Sequence, residues 1–291
     1  MGEIKFINGK FVGIVNGKQV VKSSSKYYVQ RKLNEIPAPE FREQSSTATD
    51  FDINQRFGFV TDLVSMVACG STPSAVITGE GGLGKTYTVI QALRAAGLRD
   101  ISEVPVGDVV PPKSTYRVVK GFSTAKGLYR ILFENQNSII VFDDCDSVLK
   151  NDDACNILKG ALDSFDKRII TWNTSRDEED LPRWFQFSGG IIFISNMPMD
   201  KIEQSIRSRA MCVDLEMTTA QKIDRMQVIM QSPDFLPDVR ESVKMSALML
   251  VDELKDRSKE VSLRTLIKAA RIANTGNPNW KSLAEYMLLQ G

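Results

Sequence analysis

Eight consecutive residues, Gly79-Glu80-Gly81-Gly82-Leu83-Gly84-Lys85-Thr86, set four glycines around and ahead of a lysine and a hydroxyl. Glycines let backbone N–H groups curl around a polyphosphate, and a following helix adds partial positive charge at its N-terminus. At this spacing Lys85 can reach β- and γ-phosphates, and the Thr86 hydroxyl can ligate Mg²⁺. That chemistry needs a strand before the loop and a helix after it. Ala75-Val76-Ile77-Thr78 suits a buried strand, and Tyr87–Ala96 suits a helix. A glycine-rich turn matching by chance needs neither flank. The implied ligand is a nucleoside triphosphate with Mg²⁺.

Further along, Ser138-Ile139-Ile140-Val141-Phe142-Asp143-Asp144 runs from an apolar strand into two carboxylates. Beside a phosphate loop, such a strand can aim Asp143 at Mg²⁺ and Asp144 at the water that attacks the γ-phosphate.

Composition narrows the alternatives. The 291 residues contain no histidine, which excludes Ser-His-Asp and Cys-His mechanisms and every imidazole metal site. Cys69, Cys145, Cys155 and Cys212 lie far apart with no C-x-x-C pair. Small buried thiols are therefore expected, not a disulfide framework. The longest apolar stretches, such as Ser138–Phe142 and Gly190–Ile194, are too short to span a bilayer. The start lacks a signal-peptide apolar region, and Phe6 stands where a myristoylation motif wants Ser or Thr. The expectation is a soluble cytoplasmic protein without a membrane partner.

Net charge is +1, unevenly spread. Residues 1–32 hold seven basic residues against Glu3, or +6, which leaves −5 for the remainder. This head repeats an apolar-Asn-Gly-Lys pattern at Phe6–Lys10 and Ile14–Lys18, the signature of two tight hairpins and three short strands. Its lysines, with Tyr27 and Tyr28 nearby, can grip a phosphate backbone and stack bases. They can equally keep short edge strands from aggregating.

The elements that must position the loop follow from periodicity. We expect a basic β-meander and arm over 1–36, a linker over 37–50, an α/β nucleotide-binding core over 51–216 and a helical lid over 217–291. Helices are predicted at Asn54–Cys69, Thr124–Glu134 and about Asp153–Phe165, and strands at Tyr116–Lys120, Ser138–Phe142 and Ile191–Ser195. Four more helices are predicted near 218–231, 237–256, 262–274 and 279–290.

This order of elements resembles that of AAA+ ATPases over roughly residues 50–291. Asp143-Asp144-Cys145-Asp146-Ser147 sits where many members have D-E-x-D-S, and Ile191–Asn196 is similar to the sensor-1 strand. The resemblance implies that Asn196 helps to position water. Ser205-Ile206-Arg207-Ser208-Arg209 resembles the arginine-finger segment, with Arg209 the preferred finger and Arg207 the reserve. Val261-Ser262-Leu263-Arg264 resembles the start of the sensor-2 helix, which implies a role for Arg264. ATP and Mg²⁺ are the cofactors so implied. A finger reaching the next subunit implies a ring or helical homo-oligomer with sites at its interfaces. One departure stands out: members usually have Glu where this chain has Asp144. Asp is one methylene shorter, and misplacing a catalytic group by about 1 Å can cost roughly 10²-fold.

The client is less legible. Only Phe122 could serve as a pore aromatic of a threading unfoldase, which disfavours that class. Arg168–Thr174 and Arg183–Phe187 resemble the hairpin that precedes sensor 1 in one branch of the family. Trp172 and Trp184 either anchor that hairpin or belong to the core. Phe57-Gly58-Phe59 either lines the base pocket or forms an apolar helix face. Two readings remain: a remodeller that moves a nucleic-acid or protein complex, or a DNA-binding scaffold that assembles with ATP and hydrolyses slowly to reset. The core–lid design and the head also resemble small AAA+ ATPases of tailed phages, for which the location is host cytoplasm.

Overall fold

The computed structural model describes residues 3–7, 10–15, 18–24, 29, 51–105, 111, 113–121, 124–163, 167–172 and 180–290. The chain divides into two units, Met1–Asp50 and Phe51–Gly291. In the first, strands β1 (Glu3–Ile7), β2 (Lys10–Val15) and β3 (Lys18–Ser23) form an antiparallel meander. Phe6 pairs with Phe11 across β1 and β2, their ring centroids 4.8 Å apart. A register shift at Gly13/Ile14 interrupts the β2–β3 ladder. The Asn-Gly turns, Tyr27, Tyr28 and the linker expected at 37–50 lie outside the described residues.

The second unit begins with α1 (Ile53–Cys69). Asp52 caps it by accepting from the Asn54 and Gln55 amides, Gln55 returns the bond, and Gly70 closes it in the left-handed region at φ 81°. Alternation follows: β4 (Ser74–Thr78), α2 (Lys85–Ala95), β5 (Arg99–Asp100), β6 (Thr115–Lys120), α3 (Ala125–Glu134), β7 (Ile139–Asp143), α4 (Asp146–Leu149) and α5 (Asp152–Ala161). Then come β8 (Arg168–Thr171), β9 (Trp184–Phe187), β10 (Gly190–Ile194), α6 (Gln204–Arg207) and β11 (Met211–Asp214). The last stretch is helical: α7 (Thr219–Met230), α8 (Glu241–Leu254), α9 (Leu263–Asn274) and α10 (Trp280–Gln290).

Six strands form one parallel sheet in the order β11-β4-β10-β7-β6-β5. Every residue of β4, β7 and β10 is buried, as expected for strands covered on both faces. Alternation divides them between two cores. Ala75, Ile77, Ile139, Val141, Ile192 and Ile194 pack with α1, α2 and the C-terminal helices. Val76, Ile140, Phe142, Ile191 and Phe193 face α3, α5 and β9, with Phe142 and Phe193 stacked at 4.9 Å. The α/β fold is as expected, and so is the small antiparallel element of the N-terminal unit.

Several boundaries differ from expectation. The helix predicted near Asp153–Phe165 is α5, which ends at Ala161 and is capped by Asn151; Phe165 lies outside the described residues. The helix expected from 237 starts at Glu241, because Leu236 takes φ 47° and Val239 N closes a turn on Leu236 O. Edge strand β11 was not expected. Its burial runs exposed, exposed, buried, intermediate, which leaves almost no period-2 signal in Met211–Asp214. Among the described residues, no helix is long and apolar enough to cross a membrane.

Candidate functional site

Strand β4 ends at Thr78 and α2 starts at Lys85, so the six residues between them bend back at the C-terminal edge of the sheet. Gly79 takes φ 130°, and a Cβ there would stand 2.8 Å from the Leu215 carbonyl carbon. Gly82 takes φ 79°, with Ser262 Cβ only 3.1 Å from where its own Cβ would be. Glycine is required at both by strain and by crowding. Gly81 and Leu83 complete the bend, and Gly84 precedes α2 at φ 91° with no side chain capping the helix. The N-terminal amides of this 11-residue helix are left for another acceptor.

Lys85 is buried. Its Nζ donates to Gly79 O at 2.5 Å, Glu80 O at 2.7 Å and Asn196 Oδ1 at 2.9 Å. Burial pushes its pKa down to about 8, opposed by the Asp144, Asp143 and Asp146 carboxylates and by Glu80. Thr86 Oγ1 donates to Asp143 Oδ1 at 2.8 Å, and Lys120 Nζ lies 3.0 Å from Asp143 Oδ2. Asn196 carries the contact further, donating from Nδ2 to Asp144 Oδ1 at 2.6 Å. Asp144 sits in the left-handed region at φ 56°, its N–H donating to Ile194 O at 3.2 Å. Behind Asn196, Ser195 Oγ donates to Asp146 Oδ1 at 2.6 Å and accepts from Met197 N at 3.0 Å. Neighbouring strand ends thus bring Lys85, Thr86, Asp143, Asp144 and Asn196 together.

The C-terminal helices close one side. Leu263 N donates to Gly82 O at 2.8 Å, and Lys222 on α7 pairs with Glu80. Arg264, on the first turn of α9, lines the same cleft as Gly81, Gly82, Lys85, Thr86, Asp143, Asp144 and Asn196. Arg207 and Arg209 are not among the lining residues. Arg209 is exposed, its Nη1 donating to Ser205 O at 2.9 Å, and Arg207 is half-buried.

An apolar cavity of about 500 Å³ adjoins the cleft, sharing Gly84 and Tyr87 with it. Val228, Ile229, Phe235, Leu236 and Leu263 form its walls, with Asp234 at the lining. The segment Phe57-Gly58-Phe59 does not contribute. Phe57 is a core residue under the Arg225 guanidinium, 3.8 Å away, and Phe59 packs edge-on against Phe51. The cavity walls were not legible in the sequence, because they come from α7, the segment after it and α9, with Val228 lying off the buried stripe of α7.

The hairpin β8–β9 is present with its strands antiparallel. Trp172 packs against Tyr129 at 5.7 Å, as a core residue does, whereas Trp184 is 62 % exposed. Residues 173–179 between the two strands, and Phe122 of the pore-loop position, lie outside the described residues.

The residues fit a magnesium triphosphate. A hydroxyl and a carboxylate are hard oxygen donors, Gly81, Gly82 and Gly84 line the cleft, and the helix that follows has no side-chain cap. No cluster of three or more acidic or thiol side chains that could hold a metal is found among the described residues. Mg²⁺ is usually held by one or two protein oxygens together with substrate phosphates.

An uncharacterized 36.7 kDa protein of Enterobacteria phage T4, from the nrdC-mobD intergenic region, is 29 % identical over 250 residues, covering 80 % of this chain and 73 % of its own. The Aeropyrum pernix ORC1 protein, solved in complex with DNA, aligns at a TM-score of 0.45 with 14 % identity. That alignment covers 80 % of this chain, which spans 64 % of the length of the ORC1 chain. The pattern of the ATPase family associated with various cellular activities (AAA) matches residues 75–220, from β4 through the first residues of α7. On that match across half its length, the chain belongs to the AAA family of ATPases.

Proposed function

We propose that the protein binds ATP with Mg²⁺ and hydrolyses it in a homo-oligomer. The observation that carries this reading is the chain Lys85–Asn196–Asp144, closed by hydrogen bonds of 2.9 and 2.6 Å. It puts the phosphate-binding cation and the candidate base on one amide.

In this reading the loop amides and Lys85 hold the β- and γ-phosphates, and the base occupies the apolar cavity beside Tyr87. Thr86 and Asp143 would hold Mg²⁺, which supplies charge stabilisation to the phosphoryl oxygens. Asp144 accepts a proton from the attacking water, and Asn196 orients both. Arg264 reaches the phosphates from the lid. Arg209, exposed and outside its own cleft, completes a neighbour's site, with Arg207 in reserve; this favours a ring or helix of copies. Lys10 and Lys22 are exposed on the meander, which supports nucleic-acid contact through residues 1–32 as the site where work on a nucleic-acid or protein complex is directed.

A second reading is a scaffold that assembles with ATP and turns over slowly. The short Asp144 side chain on a left-handed backbone favours it. Titration of mant-ATP, with phosphate release measured alongside, tests the shared premise. Wild type binds and Lys85→Ala loses both signals; equal binding by the two proteins would remove the phosphate loop from the account.

A further inference from the structure

Asp143 is nearly buried, its side chain 6 % exposed, and both of its oxygens are engaged: Oδ1 by Thr86 Oγ1 at 2.8 Å and Oδ2 by Lys120 Nζ at 3.0 Å. A carboxylate so enclosed needs a compensating charge. Lys85 is close enough to act on it through space but does not hydrogen-bond to it, because its three protons go to Gly79 O, Glu80 O and Asn196 Oδ1. Lys120 makes the direct ion pair, from a side chain that is 67 % exposed and therefore able to swing away into water. Strand register fixes the approach. Lys120 is the last residue of β6 and stands directly across from Asp143, the last residue of β7.

We propose that Lys120 is a positioning residue that holds the second oxygen of Asp143, Oδ2, until nucleotide arrives, so that divalent metal enters only together with triphosphate. This rests on the nucleotide reading above for the identity of the metal site. A lone divalent cation between Thr86 and Asp143 would face the ammonium across one carboxylate, and like charges at that range repel strongly. A triphosphate changes the balance. It brings its own negative charge, and its oxygens give the displaced ammonium an alternative acceptor. Lys120 then leaves Asp143 to the metal.

The test uses Mn²⁺ alone as the probe, titrated into nucleotide-free full-length protein and followed by the electron paramagnetic resonance of the free ion. Lys120→Met keeps chain length and removes the charge, Lys120→Gln repeats the test with a polar side chain, and Lys120→Arg keeps the charge. Wild type and Lys120→Arg should bind Mn²⁺ weakly. Lys120→Met and Lys120→Gln should bind roughly tenfold more tightly, and adding Asp143→Asn should abolish the gain. Parallel mant-ATP binding with Mg²⁺ reports folding and the nucleotide reading separately. Mn²⁺ affinity in Lys120→Met and Lys120→Gln equal to wild type, with mant-ATP binding intact, would overturn the inference and leave the nucleotide site standing. Absent mant-ATP binding in wild type would defeat the nucleotide reading, while the Mn²⁺ comparison would still judge Lys120.

Discussion

Asn196 and Asp144 are joined by a hydrogen bond of 2.6 Å from Nδ2 to Oδ1, and the other end of the same amide accepts from Lys85. The amide therefore holds the carboxylate's direction relative to the phosphate loop. Removing it frees Asp144 without touching the loop backbone. Asn196→Ala should lower kcat by about 10–10²-fold, the range expected for a misplaced catalytic group. Its mant-ATP affinity should change much less. Steady-state phosphate release beside equilibrium titration separates the two, and unchanged kcat would take Asn196 out of the chemistry.

The Arg209 side chain donates from Nη1 to Ser205 O, four residues back, and the residue is exposed. If it acts in a neighbouring copy, Arg209→Ala should lower turnover by about 10³-fold with little loss of thermal stability. Mixing Arg209→Ala with Asp144→Asn subunits should restore part of the activity, since some interfaces then pair an intact finger with an intact carboxylate. No recovery in any mixing ratio would argue that each copy works alone.

Lys85 gives a pH dependence with a definite sign. Its pKa falls from 10.5 to about 8, mainly through burial, so the unfolded chain binds more protons than the folded one between those values. Stability should therefore rise with pH through that window from this group alone. Nucleotide affinity should do the opposite, falling as pH passes about 8, because phosphate prefers the charged lysine. Binding near pH 8 should take up protons, measurable by calorimetry in buffers of different ionisation enthalpy. Lys85→Arg, if it still binds, should show no such uptake.

Legibility in the sequence tracked how local each signal was. The phosphate loop, β7 and α1 were readable because glycine spacing, an unbroken apolar run and a capped amphipathic helix each sit within a few residues. The α/β fold and the AAA family followed from their order. Strand β11 was not readable: it earns its place by pairing with β4 through backbone bonds, while Met211 and Cys212 stay exposed. The cavity walls were missed for a different reason. Val228, Phe235 and Leu263 converge only after α7 and α9 fold over the loop, and no local period marks that convergence. Lys120 was missed likewise, since only strand register sets it across from Asp143.

The most direct measurement is Asp144→Asn, which keeps size and hydrogen-bonding while removing the base. Mant-ATP binding should stay within about twofold of wild type, and phosphate release should fall by about 10²-fold or more. Normal phosphate release from a variant that still binds nucleotide would contradict the placement of hydrolysis at Asp144.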